Sequence, residues 1–293
     1  MDQQISEMKN LILERLPTEG VLSTGIRDVG LFRVEEPYKK KPQLYGPQII
    51  LLAQGMKRVY LGEKTYVYDP FRYYVQTVPL PVECEAVIED GKPMLGMVLQ
   101  INPQTIGEIL FEMEAEPPAV RHIRNSLYDA SVSEDLLDAA VRLLRSLKSK
   151  NQARVLGPIY LKEILFQVLN GENGEILREV AVNNRGFYQI SRVINRIHEH
   201  YSEPIEVQEL AKEAGMSPTS FHVSFKAMTS TSPLQYIKNV RLHKAKELIQ
   251  GEGERANAAA VRVGYESASQ FSREYKRCFG VTPARDRQAT PAY

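Results

Sequence analysis

The chain has 293 residues with 37 basic and 36 acidic side chains, a formal charge of +1. At 43% hydrophobic and 25% charged it is an ordinary globular mixture, long enough for one large or two ordinary domains, which excludes a wholly disordered chain. No apolar run approaches the roughly 20 residues that span a bilayer, the opening MDQQISEMKNLILERL lacks a secretory pattern, and Cys84 and Cys278 lie too far apart for a disulfide framework; a cytoplasmic setting with no membrane contact is expected.

Residues 1–20 predict a short amphipathic helix, with Ile5, Met8, Leu11, Ile12, Leu13 and Leu16 spaced for one face and Pro17 ending it. From Val21 to Gln100, prolines and glycines separate short apolar runs: IILLAQ, RVYLGEKTYVY, YYVQTVPL, CEAVI and MLGMVLQ. Rich in Val, Ile and Tyr, these read as strands of a sandwich or small barrel. Helical spacing returns after Asn102. Ser133–Lys150 predicts one helix, with Ser133 as N-cap, acids in the first turn and lysines in the last. Its single stripe of Leu136, Leu137, Ala140, Leu143, Leu144 and Leu147 is suited either to covering the barrel or to pairing with a second copy. A further helix follows Pro158 and stops at Gly171. The stretch Asn170–Glu175 reads as a turn, and Val182–Gly186 as a hinge before an all-helical remainder.

Charge divides along the same line. Residues Ile190–Tyr293 hold 15 Lys/Arg and 11 Asp/Glu, a net of +4, and residues 1–189 hold 22 and 25, a net of −3. Four of the five histidines fall in the basic part.

Two stretches of that part resemble each other: Val207–Pro233 and Ala256–Pro283. Each holds a short helix, a Gly followed by a large apolar residue (Gly215-Met216, Gly264-Tyr265), and a Ser opening a second helix. The second helices carry aromatic pairs four apart, Phe221 and Phe225, then Phe271 and Tyr275, and Ser/Thr-Pro closes each unit. The glycines suit a left-handed position past a helix end. Ser217-Pro218, Ser232-Pro233 and Thr282-Pro283 are cap-plus-proline starts, and Ser267 with Gln270 matches a capping box. Aromatic pairs at i, i+4 face a core and turn the positions between them outward. This is the pattern of a duplicated helix-turn-helix. The connector from Pro233 presents Leu234, Ile237, Leu242, Ala245, Leu248 and Ile249 along one side and spans roughly 25 Å, and His243 on it reads as a surface or cap residue.

With RLHKAKELI (Arg241–Ile249) and GYESASQFSREYKRCFGVTP (Gly264–Pro283), residues 188–288 resemble the DNA-binding domain of the AraC/XylS family of transcription regulators. YVYDPFRYYVQTVPLPVE (Tyr66–Glu83) is similar to the N-terminal domain of one AraC subgroup. The resemblance implies an α+β chain: an N-terminal cupin-like β-barrel with helices over 1–182, a sensor and dimerisation domain, then an all-α double helix-turn-helix over 183–293. It implies contacts to double-stranded DNA from Thr219, Ser220, His222, Val223 and Lys226 in the first reading helix. In the second they come from Ala268, Ser269, Ser272, Arg273, Lys276 and Arg277. Arg273 stands where relatives place an arginine toward a base edge, and arginine bonds guanine bidentately. Lys226, Lys276 and Arg277 suit phosphates, or are simply a solvated face. Val223 departs from the family pattern, where many relatives carry arginine.

Residues 1–121 contain no histidine and His122 stands alone, which excludes a histidine-based metal site in the barrel. No nucleophile motif or phosphate loop is present, so neither an enzyme nor a cofactor is expected. A sensor is expected instead, with Tyr60, Tyr66, Tyr68, Phe71, Tyr73 and Cys84 as the candidate effector pocket and Tyr74 beside them. These aromatics equally suit filling the barrel. Cys84 suits a buried inert thiol or a reactive one, although Glu83 and Glu85 beside it disfavour a thiolate. The expected function is a ligand-responsive activator that reads two successive major grooves, with a small-molecule effector, RNA polymerase and a second copy of the chain as partners. The alternatives are a cupin-type enzyme fused to a helical module and a helical module that does not read sequence.

Overall fold

The computed structural model describes residues 1–88, 90–114, 126–181 and 185–288. His122 and residues 182–184 of the expected hinge lie outside the described residues. Contacts divide the chain into two compact units: Met1–Lys40, Gly46–Val78 and Cys84–Phe187, and Lys41–Tyr45, Pro79–Glu83 and Tyr188–Tyr293.

The chain begins with helix α1 (Asp2–Arg15), followed by strands β1 (Gly20–Ser23), β2 (Val29–Val34), β3 (Tyr38–Tyr45), β4 (Gln48–Gln54) and β5 (Met56–Leu61). Then come β6 (Lys64–Tyr68), β7 (Arg72–Gln76), β8 (Leu80–Val87) and β9 (Met94–Gln100). Helix α2 (Pro103–Glu112) and strand β10 (Leu127–Ser131) precede α3 (Glu134–Ser146), α4 (Lys150–Val155), α5 (Gly157–Asn170) and α6 (Gly174–Ala181). The strands form a six-stranded sheet, ordered β1-β2-β9-β4-β7-β10, and a four-stranded sheet, ordered β3-β8-β5-β6. The β-rich architecture with helices is the one the resemblance implied.

Strand β4 is buried along nearly its whole length, which explains its unbroken run IILLA. Its Ile49, Leu51 and Ala53 join the core formed with α1, α3 and α5. On the opposite face of the six-stranded sheet, Tyr74 stacks on Tyr68 of β6, ring centroids 3.5 Å apart. Strand β10 is a departure from the sequence reading, which places only helices after Asn102. Its five residues pair with β7 from Leu127–Gln76 to Ser131–Arg72, a long-range partnership that no local pattern announces.

Helix α3 is also shorter than expected. Ser133 Oγ caps it by accepting from the Leu136 amide at 3.1 Å, but it stops at Ser146, and α4 starts separately at Lys150. Its apolar stripe is consumed within the unit, with Leu136, Leu137, Ala140, Leu143 and Leu144 all in the core. Arg145 bonds Glu7 of α1 at 2.7 and 2.8 Å, and Arg142 bonds Glu163 of α5 at 2.6 Å. The stripe therefore covers the barrel and is not left for a second copy.

From Arg185 onward the described residues hold only helices: α7 (Arg185–Glu199), α8 (Val207–Glu213), α9 (Pro218–Thr229), α10 (Pro233–Gly251), α11 (Ala256–Arg262), α12 (Ala268–Phe279) and α13 (Pro283–Gln288). Helix α10, 19 residues and about 28 Å long, packs against both helix pairs. Tyr236 meets Phe225 of α9 edge-on at 5.3 Å, and Leu242, Ala245, Leu248 and Ile249 join Ala259, Ala260, Phe271 and Tyr275 in one cluster. Two connector expectations fail. Leu234 is 56% exposed, because it falls outside the arc that α10 buries. His243 is buried, edge-on to Phe279 at 5.2 Å.

Burial, reinforced by Lys246 and Lys244, lowers the His243 pKa from 6.5 to about 4. The folded state therefore binds fewer protons than the unfolded chain below pH 6.5, and stability present above that pH drains away as pH falls toward 4. In denaturant titrations, His243→Phe should lose less stability between pH 6.5 and 4 than the parent; equal losses would show that this ring does not drive the dependence.

Candidate nucleic-acid interface

Each helix-turn-helix is shaped by the same local devices. Gly215 and Gly264 sit at φ +61° and +84°, the left-handed region that L side chains resist. Ser217 Oγ accepts from the Ser220 amide at 3.2 Å, Ser232 Oγ from Gln235 at 3.3 Å, and Ser267 Oγ from Gln270 at 3.2 Å. The Ser267–Gln270 capping box is only half made. The Gln270 side chain donates to Glu274 Oε1 at 3.2 Å, one turn further along, instead of reaching back.

The aromatic pairs set the faces. Phe221, Phe225, Phe271 and Tyr275 are fully buried, with centroids 5.4 Å apart within each pair. The helical period then turns the intervening residues outward. Thr219, Ser220, His222, Val223 and Lys226 are all exposed on α9, Val223 to 66%. On α12, Ala268, Ser269, Arg273, Lys276 and Arg277 are exposed and Ser272 is half-buried. Among the described residues, none of Lys226, Arg273, Lys276 and Arg277 enters an ion pair, so their charge is uncompensated on the outward faces.

Other charged side chains of this unit are committed to holding it together, and the sequence reading did not find them. Arg241 of α10 donates to the carbonyls of Tyr201 (2.7 Å), Gly264 (3.0 Å) and Glu203 (2.8 Å). It thus pins the second turn to the connector. Glu274, turned inward on α12, accepts from Lys238 of α10 at 2.8 Å, from the Tyr265 hydroxyl at 2.7 Å and from Gln270. Burial works to raise its pKa, but the hydrogen bonds from Lys238, Tyr265 and Gln270 outweigh it and hold the carboxyl below its ordinary value. Only Gln270–Glu274, at i, i+4, had a local signal; Lys238 lies 36 positions away.

The candidate effector residues are not brought together. Tyr60 points off the buried face of β5, bonding Glu85 at 2.8 Å under the Lys40 ammonium. Phe71 is 54% exposed in the turn before β7. Tyr68 and Cys84 are buried. So is Tyr73, on the helix-facing side of its sheet, where burial pushes its pKa up to about 12. Tyr66 borders a cleft of about 390 Å³ whose other walls include Asp129 of β10, Asn173 and Ile176 of α6. Strand alternation places Tyr60 on the face opposite Tyr66 and Tyr68, and Tyr73 on the face opposite Tyr74. Among the described residues no group of three or more His, Cys, Asp or Glu is placed to hold a metal ion, and no helix is long and apolar enough to cross a membrane.

The profile of the AraC-type transcriptional regulator N-terminus matches residues 25–176, over half the chain, and a helix-turn-helix domain profile matches residues 210–289. The chain belongs to the AraC/XylS family of transcriptional regulators. This AraC-family regulator is 27% identical to the HTH-type transcriptional regulator ExsA of Pseudomonas aeruginosa over 198 residues, 67% of this chain and 68% of ExsA. It is 25% identical to the transcriptional activator RhaS of Klebsiella pneumoniae over 162 residues, 55% and 58% of the two chains. An apo structure of ToxT from Vibrio cholerae shares its fold at a TM-score of 0.59, covering 91% of this chain and 99% of ToxT at 9% identity. ToxT bound to an unsaturated fatty acid matches at 0.56 and 11% identity, covering 92% and 96%. The AraC-family chain is thus a transcriptional regulator with a helix-turn-helix DNA-binding domain.

Two outcomes follow for the frame behind the interface. A Cβ on Gly264 would press into the Ser202 carbonyl, whereas at Gly215 the nearest atom is the tip of Gln189 at 3.3 Å. Gly215→Ala should cost about 1–2 kcal/mol and Gly264→Ala clearly more in urea unfolding; similar costs would deny the close packing at the second turn. Glu274→Gln should cost about 1–2 kcal/mol by the same measurement at pH 7, with the difference from the parent shrinking below pH 4.5 as the carboxyl protonates.

Proposed function

We propose that this protein is a sequence-specific, effector-responsive activator that reads two successive major grooves on one side of a DNA duplex, using α9 and α12. The observation that carries this reading is the pairing of fully buried aromatics with uncompensated cations on the opposite faces of both helices. In a helix-turn-helix the second helix enters the major groove, and a connector of about 28 Å is compatible with the ~34 Å between successive groove faces. Thr219, Ser220, His222 and Val223 contact bases from α9, with Val223 offering a methyl surface to thymine. From α12, Arg273 bonds guanine and Ala268, Ser269 and Ser272 line the same edge. Lys226, Lys276 and Arg277 take phosphates, adding affinity without sequence information.

Residues 1–182 serve as the sensor and dimerisation domain and 183–293 as the reader, and RNA polymerase is the partner of the activated complex. An effector that prefers one of two arrangements of these domains shifts the population toward it. Support for a small-molecule effector comes from ToxT, which has this fold and has been solved with an unsaturated fatty acid bound. The cleft beside Tyr66 is the place for it, since a volume of about 390 Å³ suits a small molecule. Because the α3 stripe is internal, a second copy would use the exposed Val155, Ile159 and Phe166 of α4 and α5. Two copies gain avidity on repeated sites.

The test is selection of bound duplexes from a random pool by the full chain, followed by competition against random DNA. A recurrent motif in two parts about one helical turn apart is expected. Arg273→Ala should cost about 1–3 kcal/mol on that motif and relax preference at one base. Unchanged affinity and preference would show that α12 does not read the groove in this register.

A further inference from the structure

The two helix-turn-helix units share a frame but differ in charge, so each serves as a control for the other. Aligning Gly215 with Gly264 and Pro233 with Pro283 places Glu206 opposite Arg255, Gln208 opposite Asn257, Leu234 opposite Ala284 and Ile237 opposite Arg287. In the second unit Arg255, Ala256, Asn257, Ala284 and Arg287 line an open cleft of about 490 Å³ between the starts of α11 and α13. In the first unit the corresponding positions offer a carboxylate and a buried isoleucine.

The cleft carries positive charge with no acid in its wall. Arg287 Nε donates to the Gly253 carbonyl at 2.7 Å, which fixes the guanidinium while its other N–H groups stay uncommitted among the described residues. Arg255 is exposed and enters no ion pair among those residues. The acids nearby are engaged elsewhere. Glu252 (2.8 Å) and Glu254 both bind Arg262. Asp286 is buried, accepting from the Tyr275 hydroxyl at 2.7 Å and Gln250 at 3.0 Å. The alanines at 256 and 284 leave the floor low. Two guanidiniums and one side-chain amide in an open cleft present donors to an oxyanion, and a guanidinium matches phosphate geometry well.

We propose that this cleft seats a backbone phosphate of bound DNA, which makes the second helix-turn-helix the electrostatic anchor of the reader. The proposal rests on the DNA-binding reading above. In a helix-turn-helix the first helix crosses the backbone while the second lies in the groove, and Arg255 stands at the entry to α11, the first helix of the second unit. The first unit has no such seat and holds its site chiefly through uncharged contacts and Lys226. The second unit therefore carries most of the salt dependence of binding.

The experiment measures the affinity of the full chain against salt concentration on a selected duplex and on a random one. Arg255→Gln and Arg287→Gln should each lower the slope of log K against log salt by about one. Each should weaken both duplexes by the same factor and leave their ratio unchanged. The Arg255 side chain makes no hydrogen bond or ion pair among the described residues, so its variant tests the seat even if Arg287→Gln unfolds. Arg285→Gln removes an exposed charge that does not line the cleft and should change the slope much less. An unchanged slope in Arg255→Gln, or an equal loss in Arg285→Gln, would overturn the seat. A parent protein that binds selected and random duplexes alike would instead overturn sequence-specific reading, and the slope on random DNA would still decide the seat.

Discussion

The reader depends on one constraint: each reading helix buries two aromatic rings one turn apart. A helix has 3.6 residues per turn, so Phe221 with Phe225, and Phe271 with Tyr275, fix which arc faces the core and leave a fixed complementary arc to solvent. Polar and basic residues on that outer arc gain nothing from the protein interior. The cost of ordering them is borne by the aromatic core behind them, in the order of 1.5–3 kcal/mol for each large side chain buried. The interface is thus preorganised by burial on its opposite face.

A second layer of control comes from charges that do not face outward. Arg241 collects three carbonyls around the second turn, and Glu274 joins α12 to the connector through Lys238 and Tyr265. These groups are partly buried and multiply bonded, so they behave differently from the single surface pairs that contribute little elsewhere in the chain. Within one unit, basic residues therefore divide into two populations. Lys238 and Arg262 are neutralised by internal carboxylates and Arg241 is committed to backbone carbonyls, whereas among the described residues Arg255, Arg273, Lys276 and Arg277 enter no ion pair. Counting charge alone merges these populations.

The N-terminal unit follows another logic. Its six-stranded sheet has helices against one face and the Tyr68–Tyr74 stack on the other, so Tyr68, Tyr73 and Tyr74 fill space while Tyr66 borders a cleft. Cys84 is likewise fully buried. The divergence of the duplicated reader is a matter of side chains on a shared frame: the turns, caps and aromatic pairs repeat, but the residues at the starts of α11 and α13 do not.

Much of this was legible in the residues themselves. The turn glycines, the Ser-Pro starts and the aromatic pairs specify the duplicated helix-turn-helix because each acts through bonds or contacts within about a dozen residues. The outward faces of α9 and α12 follow from the helical period once the buried face is known. Several features required tertiary structure. His243 is buried because Phe279 packs on it from another helix; β10 exists because β7 offers an edge; the α3 stripe is used up by α1, α5 and the sheet; and Gln270 turns to Glu274 because Lys238 and Tyr265 already hold that carboxylate. Local chemistry determines which conformations a segment prefers, whereas pairing across tens of residues decides which surfaces and charges remain free, and only the packed chain brings those partners together.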